Sequence, residues 1–463
     1  MRRRFVFAWS VFVVASLYSV TIAGRQAPQL RTGTDGIFTI ALAGDSIITE
    51  RLSPYKEPEF LQLIDLLRGT DVAFANFEML LHDYEGYPSA LSGGTWMRAD
   101  PIMAKELAWA GIDMVARANN HTGDYSPESL RTTSKSLNEA GIVWAGVGEN
   151  LQQAREAHYL ETADGRVALI SCASTFTPQS IAGKQRSDVS GRPGLNPLRF
   201  DTRYVVDQPT LDNLRRTLAG LGLPAGQGNQ LTFMGNRFAL GPAFKTEQTP
   251  NALDLAEIVH SIKDAKTLSD YVVVTIHAHE GGKDRTEPAP FLPIFAHAAI
   301  DAGADMFVGH GPHVLRGIEI YKGKPILYSI GDFIFENETV LRLPEDNYEA
   351  LGLGPEDRVS DFNAKRYAND TTGFPADRLV WESVIAVPSF RDGKLIDLKL
   401  HPISLGFGKL PGRRGRPMLA NEELSKKIID DLTRLSKPMG TTIEYKERVG
   451  TVKLPAGTAP AGS

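Results

Sequence analysis

Five of the ten histidines in this 463-residue sequence fall inside three short motifs. They are His121 in Ala118-Asn119-Asn120-His121-Thr122-Gly123-Asp124, the pair in Ile276-His277-Ala278-His279-Glu280, and the pair in Gly309-His310-Gly311-Pro312-His313. Two further motifs supply oxygen ligands, Leu42-Ala43-Gly44-Asp45 and Ala75-Asn76-Phe77-Glu78. Imidazole, carboxylate and amide oxygens together suit a divalent cation such as Mn, Fe or Zn. The single cysteine, Cys172, excludes an internal disulfide and any multi-cysteine metal site. His121, flanked by amides, could ligate a metal or donate a proton.

Most of these motifs also have a plainer reading. Asp45 could cap a following helix, and Asn76 and Glu78 could be solvated at a strand end. Asn119 and Asn120 could tie a turn while Asp124 caps the helix opening at Pro127, and His279 could be a packed or solvated ring. The pair His310 and His313 resists such a reading, because a Gly-Pro turn at a strand end exposes both rings.

The elements that must position these residues follow from short apolar, β-branched runs. They predict strands at Phe38-Ala43, Val72-Ala75, Met114-Ala118, Val143-Ala145, Val167-Ser171, Val272-Ile276, Met306-Val308 and Ile326-Ser329. Between them, Pro58-Leu67, Pro101-Ala110, Pro127-Ala140, Ala252-Lys266 and Phe291-Ala302 predict helices, several opened by proline. Such alternation implies helices packed on a largely parallel sheet, or on two sheets. Each chemical motif then sits at the C-terminal end of a strand, where α/β folds place ligand sites. Asn76 and Glu78 share a face because strand side chains alternate.

At roughly 150 residues per domain the length allows up to three domains, or one large domain with insertions. We expect one domain over 36–410, with a Gly/Pro-rich insertion or cap at 183–244 holding one helix, Thr210-Leu218, and a lid-like loop at 341–378. Ser383-Pro388 and Lys394-Ile403 read as a hairpin around Arg391-Asp392-Gly393. A C-terminal helical extension follows at 411–453, with a helix from Asn421 to about Leu435, and then an unstructured tail at 454–463.

Hydrophobic residues make up 42% and charged residues 23%, which excludes a disordered, collagenous or polytopic membrane chain. Fifty basic against 55 acidic side chains give no electrostatic footprint for nucleic acid. The N-terminus differs from the rest: Arg2, Arg3 and Arg4 precede an uncharged apolar run from Phe5 to Ile22, and small-residue exits follow near Ala23 and Ala27. We read residues 1–27 as a secretory signal peptide, or as an N-terminal anchor through residues 5–22, and expect a periplasmic or otherwise extracytoplasmic protein. The three arginines weakly suggest a twin-arginine signal. Cleavage after Ala27 would remove four arginines and no acid, leaving a more acidic chain.

Taken in order, Gly-Asp, Asn-x-Glu, Ala-Asn-Asn-His-x-x-Asp, strand-His and Gly-His-x-Pro-His-x-x-x-Gly-x-Glu resemble the CapA family of capsule (poly-γ-glutamate) synthesis proteins, from about Phe38 to Phe335. That family is similar to the calcineurin-like metallophosphoesterases. The resemblance implies an α/β fold in which a β-sandwich is flanked by helices (α/β/β/α), with two metals at the strand ends. It implies Asp45 on the first metal, Glu78 bridging, Asn120, His277 and His310 on the second, and His313 returning to the first. His121 would be the general acid. Asn76, Asn119, Asp124, His279, Glu319 and Asp332 would contact substrate or support the ligands. The chain departs from the phosphoesterase pattern at Ile47, where a His is usual, at Glu78, which replaces Asp, and in the wider His310–His313 spacing. From the usual CapA pattern it departs at Ala278-His279 and Asp332.

Two divalent ions roughly 3.5–4 Å apart would clamp the attacking and leaving oxygens of a phosphoester or related bond. The competing expectation is a non-catalytic protein that binds or tethers an anionic capsule polymer, alongside other capsule-synthesis membrane proteins, through a basic patch such as Arg413-Arg414-Gly415-Arg416.

Overall fold

The computed structural model describes residues 36–455. The expected leader at 1–27 and all but the start of the expected 454–463 tail lie outside the described residues. Of the two arrangements the alternation allows, the chain adopts the one with two main sheets, in a mixed α/β architecture. The first sheet runs Ile443–Lys446, Val449–Val452, Lys394–Ser404, Glu382–Arg391, Ile37–Ile47, Val72–Phe77, Met114–Ala116, Val143–Ala145, with Asp332–Phe335 also paired to Ile37–Ile47. The second runs Ile318–Tyr321, Lys324–Leu327, Met306–His310, Tyr271–His277, Gly165–Ala173, His158–Thr162.

The apolar runs are buried on both faces, which is why they lack a clean polar alternation. One set of alternate side chains, including Phe38, Ile40, Leu42, Val72 and Phe74, meets Leu169, Tyr271, Val273, Met306 and Val308 of the opposite sheet. The rings of Phe38 and Tyr271 stack there at 4.0 Å. The other set turns outward: Ala41, Ala43, Ala73 and Ala75 lie under the helices Pro58–Arg68 and Met103–Ala110. On the far side Ile170, Val272, Val274 and Ile276 pack against Ala252–Leu268 and Phe291–Ala302. Alanine on the first outer face lets the helix axes approach closely, and the result is four layers, helix, sheet, sheet, helix.

The central strands of each sheet are parallel, so their C-terminal ends emerge together. Two glycines permit close backbone approach at that edge. A Cβ on Gly44 would lie 2.0 Å from the carbonyl oxygen of Gly331, and one on Gly309 would lie 2.2 Å from that of Tyr328. Side chains at either place would force the strand that carries Asp45 or His310 away from its neighbour.

Three regions differ from expectation. Residues 341–378 hold short helices at Glu345–Glu349, Val359–Arg366 and Gly373–Ala376, not an uninterrupted loop. The 411–453 segment is more than a helical extension. Its helix Glu422–Ser436 buries Ile428, Ile429 and Leu432 in the core between the sheets, and its hairpin Ile443–Lys446/Val449–Val452 extends the first sheet beside Lys394–Ser404. The insertion contains a four-stranded sheet, Gln230–Phe233, Asn236–Leu240, Phe200–Val206 and Lys245–Pro250, so it continues to residue 250. The helix Gln208–Gly220 packs on it around Val206, Leu211, Leu218 and Leu231. Among the described residues no helix is long and apolar enough to cross a membrane.

Candidate metal centre

Strand register assembles the site. Asp45 is the lateral neighbour of Asn76 on one side and of Asp332 on the other, and His277 is that of His310 in the second sheet. The two sheets therefore present carboxylates and imidazoles to each other across the end of their shared core. Asn76 joins them: its Nδ2 donates to Asp45 Oδ1 at 2.7 Å and lies 3.1 Å from Nδ1 of His277. Asp45 Oδ2 also accepts from the backbone N–H of Gly311 at 2.9 Å, so the carboxylate is held by its partners and caps no helix.

Around Asp45 and Glu78 the distances are short. Nδ1 of His310 is 3.3 Å from Asp45 Oδ1, and Nδ1 of His313 is 3.7 Å from Oδ2. Glu78 Oε1 is 3.4 Å from Nε2 of His277, 3.7 Å from Nε2 of His313, 3.9 Å from Nε2 of His279 and 4.0 Å from Nε2 of His121. Three overlapping groups bring one ligand atom per residue close enough to share an ion: Asp45, Glu78 and His277; Asp45, His313 and Asp332; and Glu78, His279 and His313. His279 and Asp332, expected only as supporting residues, thus stand among the groups that could hold a metal ion. His279 is one-third exposed and its Nε2 is 3.0 Å from that of His277.

Two aspartates orient two histidines. Asp332 Oδ1 lies 2.7 Å from Nδ1 of His313, and Asp124 Oδ2 lies 2.6 Å from Nδ1 of His121. In each ring the other nitrogen, Nε2, faces Glu78. Asp124 also accepts from the backbone N–H groups of Gly93 and Met97, so it fixes the 93–97 loop and does not cap the helix Pro127–Glu139. Asn119 is a strut, donating from Nδ2 to Phe77 O and accepting from the His121 N–H. Asn120 donates to Gly93 O, and its Oδ1 is buried with no hydrogen-bond partner.

The electrostatics separate the groups. Burial pushes the Asp45 carboxyl up, but the neighbouring His310, with His277 and His313, pulls it below its ordinary value. Burial holds Glu78 well above its ordinary value; His313 opposes the shift and the carboxylates of Asp45, Asp332 and Asp124 reinforce it. Burial also raises Asp332 to about 6. Burial and the neighbouring His279 depress His277, and burial with His313 brings His279 down to about 3. His313 is the exception: burial lowers it, yet Asp332, Glu78 and Asp45 carry it to about 10. Neutral imidazole and ionised carboxylate are the ligating forms, and a cation placed among these groups would favour both.

The donor set fits such a cation. Both carboxylate oxygens of Glu78, both ring nitrogens of His310, and Oδ2 of Asp332 are buried without a hydrogen-bond partner. Each such group costs about 1–3 kcal/mol if nothing satisfies it, and so dense a concentration is what a ligated ion would resolve.

Glu319 is not brought into this cluster. It lies on the edge strand Ile318–Tyr321, where it pairs with Nε2 of His297 at 2.9 Å and accepts from the Tyr328 hydroxyl at 2.7 Å, on the side of the helix Phe291–Ala302. The basic loop is also committed internally. Arg414 is buried, with Nε 2.6 Å from Glu338 Oε2 and Nη1 2.9 Å from Asp370 Oδ2. Arg416 covers the Tyr55 ring at 3.4 Å and binds Glu57 at 2.6 Å. Sequence reasoning missed Arg316, which is fully buried and donates to the carbonyls of Ala278, His279, Glu280 and Arg285, clamping the loop after His277. An arginine three residues beyond His313 was the only available signal.

Comparison with known proteins adds a family. The model described as "Bacterial capsule synthesis protein PGA_cap" matches residues 39–337. The uncharacterized protein y4sH of Sinorhizobium fredii (strain NBRC 101917 / NGR234) is 39% identical over 451 residues, spanning 94% of this chain and 96% of that protein. The capsule biosynthesis protein CapA of Bacillus anthracis is 26% identical over 317 residues, 68% of this chain and 57% of that one. The PGA biosynthesis protein CapA of Bacillus subtilis (strain 168) is 24% identical over 332 residues, 70% of each chain.

Proposed function

The chain belongs to the bacterial capsule synthesis protein family PGA_cap, and from that premise we propose that it is an exported, metal-dependent hydrolase of capsule or poly-γ-glutamate synthesis, acting on a phosphoester or related bond. The observation that carries this reading is the buried cluster of carboxylates and imidazoles in which both oxygens of Glu78, both ring nitrogens of His310 and Oδ2 of Asp332 have no hydrogen-bond partner. In this reading the helix-flanked pair of sheets is a calcineurin-like metallophosphoesterase fold. Asp45, Glu78, Asn120, His277, His310 and His313 would hold two divalent ions, Mn, Fe or Zn, and Asp332 and His279 could share in holding them. Bound there, the metal supplies Lewis-acid stabilisation of the charge that develops on the scissile group.

The chain's own residues supply the rest. Asp124 fixes the His121 ring with Nδ1 towards the carboxylate, which leaves Nε2 to deliver a proton to the leaving oxygen. Asn76, on the strand beside Asp45, ties that carboxylate to His277 of the other sheet, so the two sheets cannot separate at the site without breaking the Asn76–His277 contact. The basic loop expected to serve the tethering alternative is engaged within the fold through Arg414 and Arg416, which counts against that route. The substrate in this account is an anionic capsule polymer or a phosphoester, and the protein works beside capsule-synthesis membrane proteins.

Metal analysis of purified protein, run beside hydrolysis assays on phosphomonoesters, phosphodiesters and γ-glutamyl polymers, tests the activity. Protease accessibility in intact cells tests export: full protection even after any outer membrane is opened would contradict it.

A further inference from the structure

An open pocket adjoins the centre. It has a volume of about 650 Å³ and is lined by Arg285, Arg366, Tyr367, Phe374, Asp377 and Arg378, among others. Three connections fix it to the site. The Phe374 ring packs on His313 with centroids 5.5 Å apart. Arg366 hydrogen-bonds the Thr95 hydroxyl, and the adjacent Gly94 packs towards His121, its Cβ position being 3.8 Å from Cε1 of that ring. The Arg285 carbonyl accepts from Nε of Arg316, whose other nitrogens hold the carbonyls of Ala278, His279 and Glu280. The pocket therefore borders the loops that carry His121, His279 and His313.

Arg285, Arg366 and Arg378 line the pocket together with one carboxylate, that of Asp377. Arg285 pairs with Asp377, and Arg378 pairs with Glu382 at 2.7 Å. Among the described residues Arg366 has no carboxylate partner; its guanidinium lies over the rings of Phe362 and Tyr367 and bonds Thr95. A guanidinium so placed presents parallel N–H donors that suit a carboxylate or phosphate group. Gly373, with φ +64°, turns the chain so that Phe374 closes one wall; a Cβ there would meet the Tyr367 ring at 2.8 Å.

We propose that Arg366, supported by Arg285 and Arg378, forms an anion-binding subsite that holds an acidic group of the substrate chain beside the metal cluster. The proposal rests on the hydrolase reading for its substrate, and it names the substrate class as a chain bearing carboxylates or phosphates near the scissile bond. A charge-assisted hydrogen bond lost from such a site costs about 10-fold or more in affinity.

The test is calorimetric titration of the purified full chain with a γ-linked glutamate pentamer and, separately, with inorganic phosphate. The variants are Arg366→Ala, Arg366→Gln, which can keep the bond to Thr95 without the charge, and the exposed Arg378→Ala. The expected result is pentamer binding by the wild type, weakened about 10-fold or more in both Arg366 variants and less in Arg378→Ala, with unchanged metal content. Phosphate binding weakened in place of pentamer binding would assign the subsite to phosphate and support the proposal. Weakened binding in a protein that hydrolyses nothing would leave the subsite standing and remove the hydrolase reading. Affinities unchanged in Arg366→Gln, or no binding of either probe by the wild type, would overturn the proposal.

Discussion

Asp124 Oδ2 lies 2.6 Å from Nδ1 of His121, and this contact leaves Nε2 of the ring facing Glu78 at 4.0 Å. The ring is thereby committed to one orientation before any substrate arrives. His121→Ala is expected to keep its metals and lose roughly 10²–10⁴-fold in turnover, the usual contribution of a positioned acid or base. Asp124→Asn should keep metals as well and lower kcat, because an amide that can turn either end to Nδ1 no longer holds the ring in one orientation. Loss of metal from His121→Ala, shown by elemental analysis, would place His121 among the ligands.

Arg414 joins the segment after the hairpin to Glu338 and Asp370, and the arginine and Glu338 side chains are only 2% and 5% exposed. Removing one partner of a buried pair leaves an uncompensated charge and typically costs about 3–5 kcal/mol. Arg414→Ala should therefore lower the denaturant midpoint markedly, whereas the exposed Arg413→Ala should not. Equal midpoints for the two variants would show that the pair contributes little.

Glu336 accepts from the backbone N–H groups of Thr49 and Glu50 at 2.7 and 2.8 Å, yet burial outweighs these bonds and raises its carboxyl to about 7. The native state thus holds the proton more tightly than the unfolded chain does. Its contribution is fully present below the unfolded value of about 4.5 and is lost as pH rises through about 7. Glu336→Gln keeps the shape without the charge, so its stability relative to wild type should improve by about 2–3 kcal/mol between pH 4.5 and 8. Denaturation at both pH values reads this directly, and a pH-independent difference would refute it.

Much of the site was legible because its signals are local. An apolar run that ends in Gly-Asp, Asn-x-Glu or His-x-His announces a strand end within a few residues, and the expected strands and helices recur in the structure within a few residues of their predicted limits. Glu319 shows where locality misleads, since nearness in sequence to His313 did not carry it across the turn to the site. The hairpin at 443–452 was missed for a chemical reason. Its turn uses Glu447 and Arg448 at positive φ, where glycine or asparagine is the usual marker. The pairing of Arg414 with Glu338 spans 76 residues, and nothing in either neighbourhood signals it.

Metal content and hydrolysis measured on the same preparations of wild type and His310→Ala test the central claim most directly. The account predicts about two divalent ions per wild-type chain, hydrolysis of a phosphoester or γ-glutamyl substrate, and joint loss of ions and activity in His310→Ala. A wild type that carries its ions yet is inert towards phosphomonoesters, phosphodiesters and γ-glutamyl polymers alike, or that hydrolyses them equally well once stripped of metal, would contradict it.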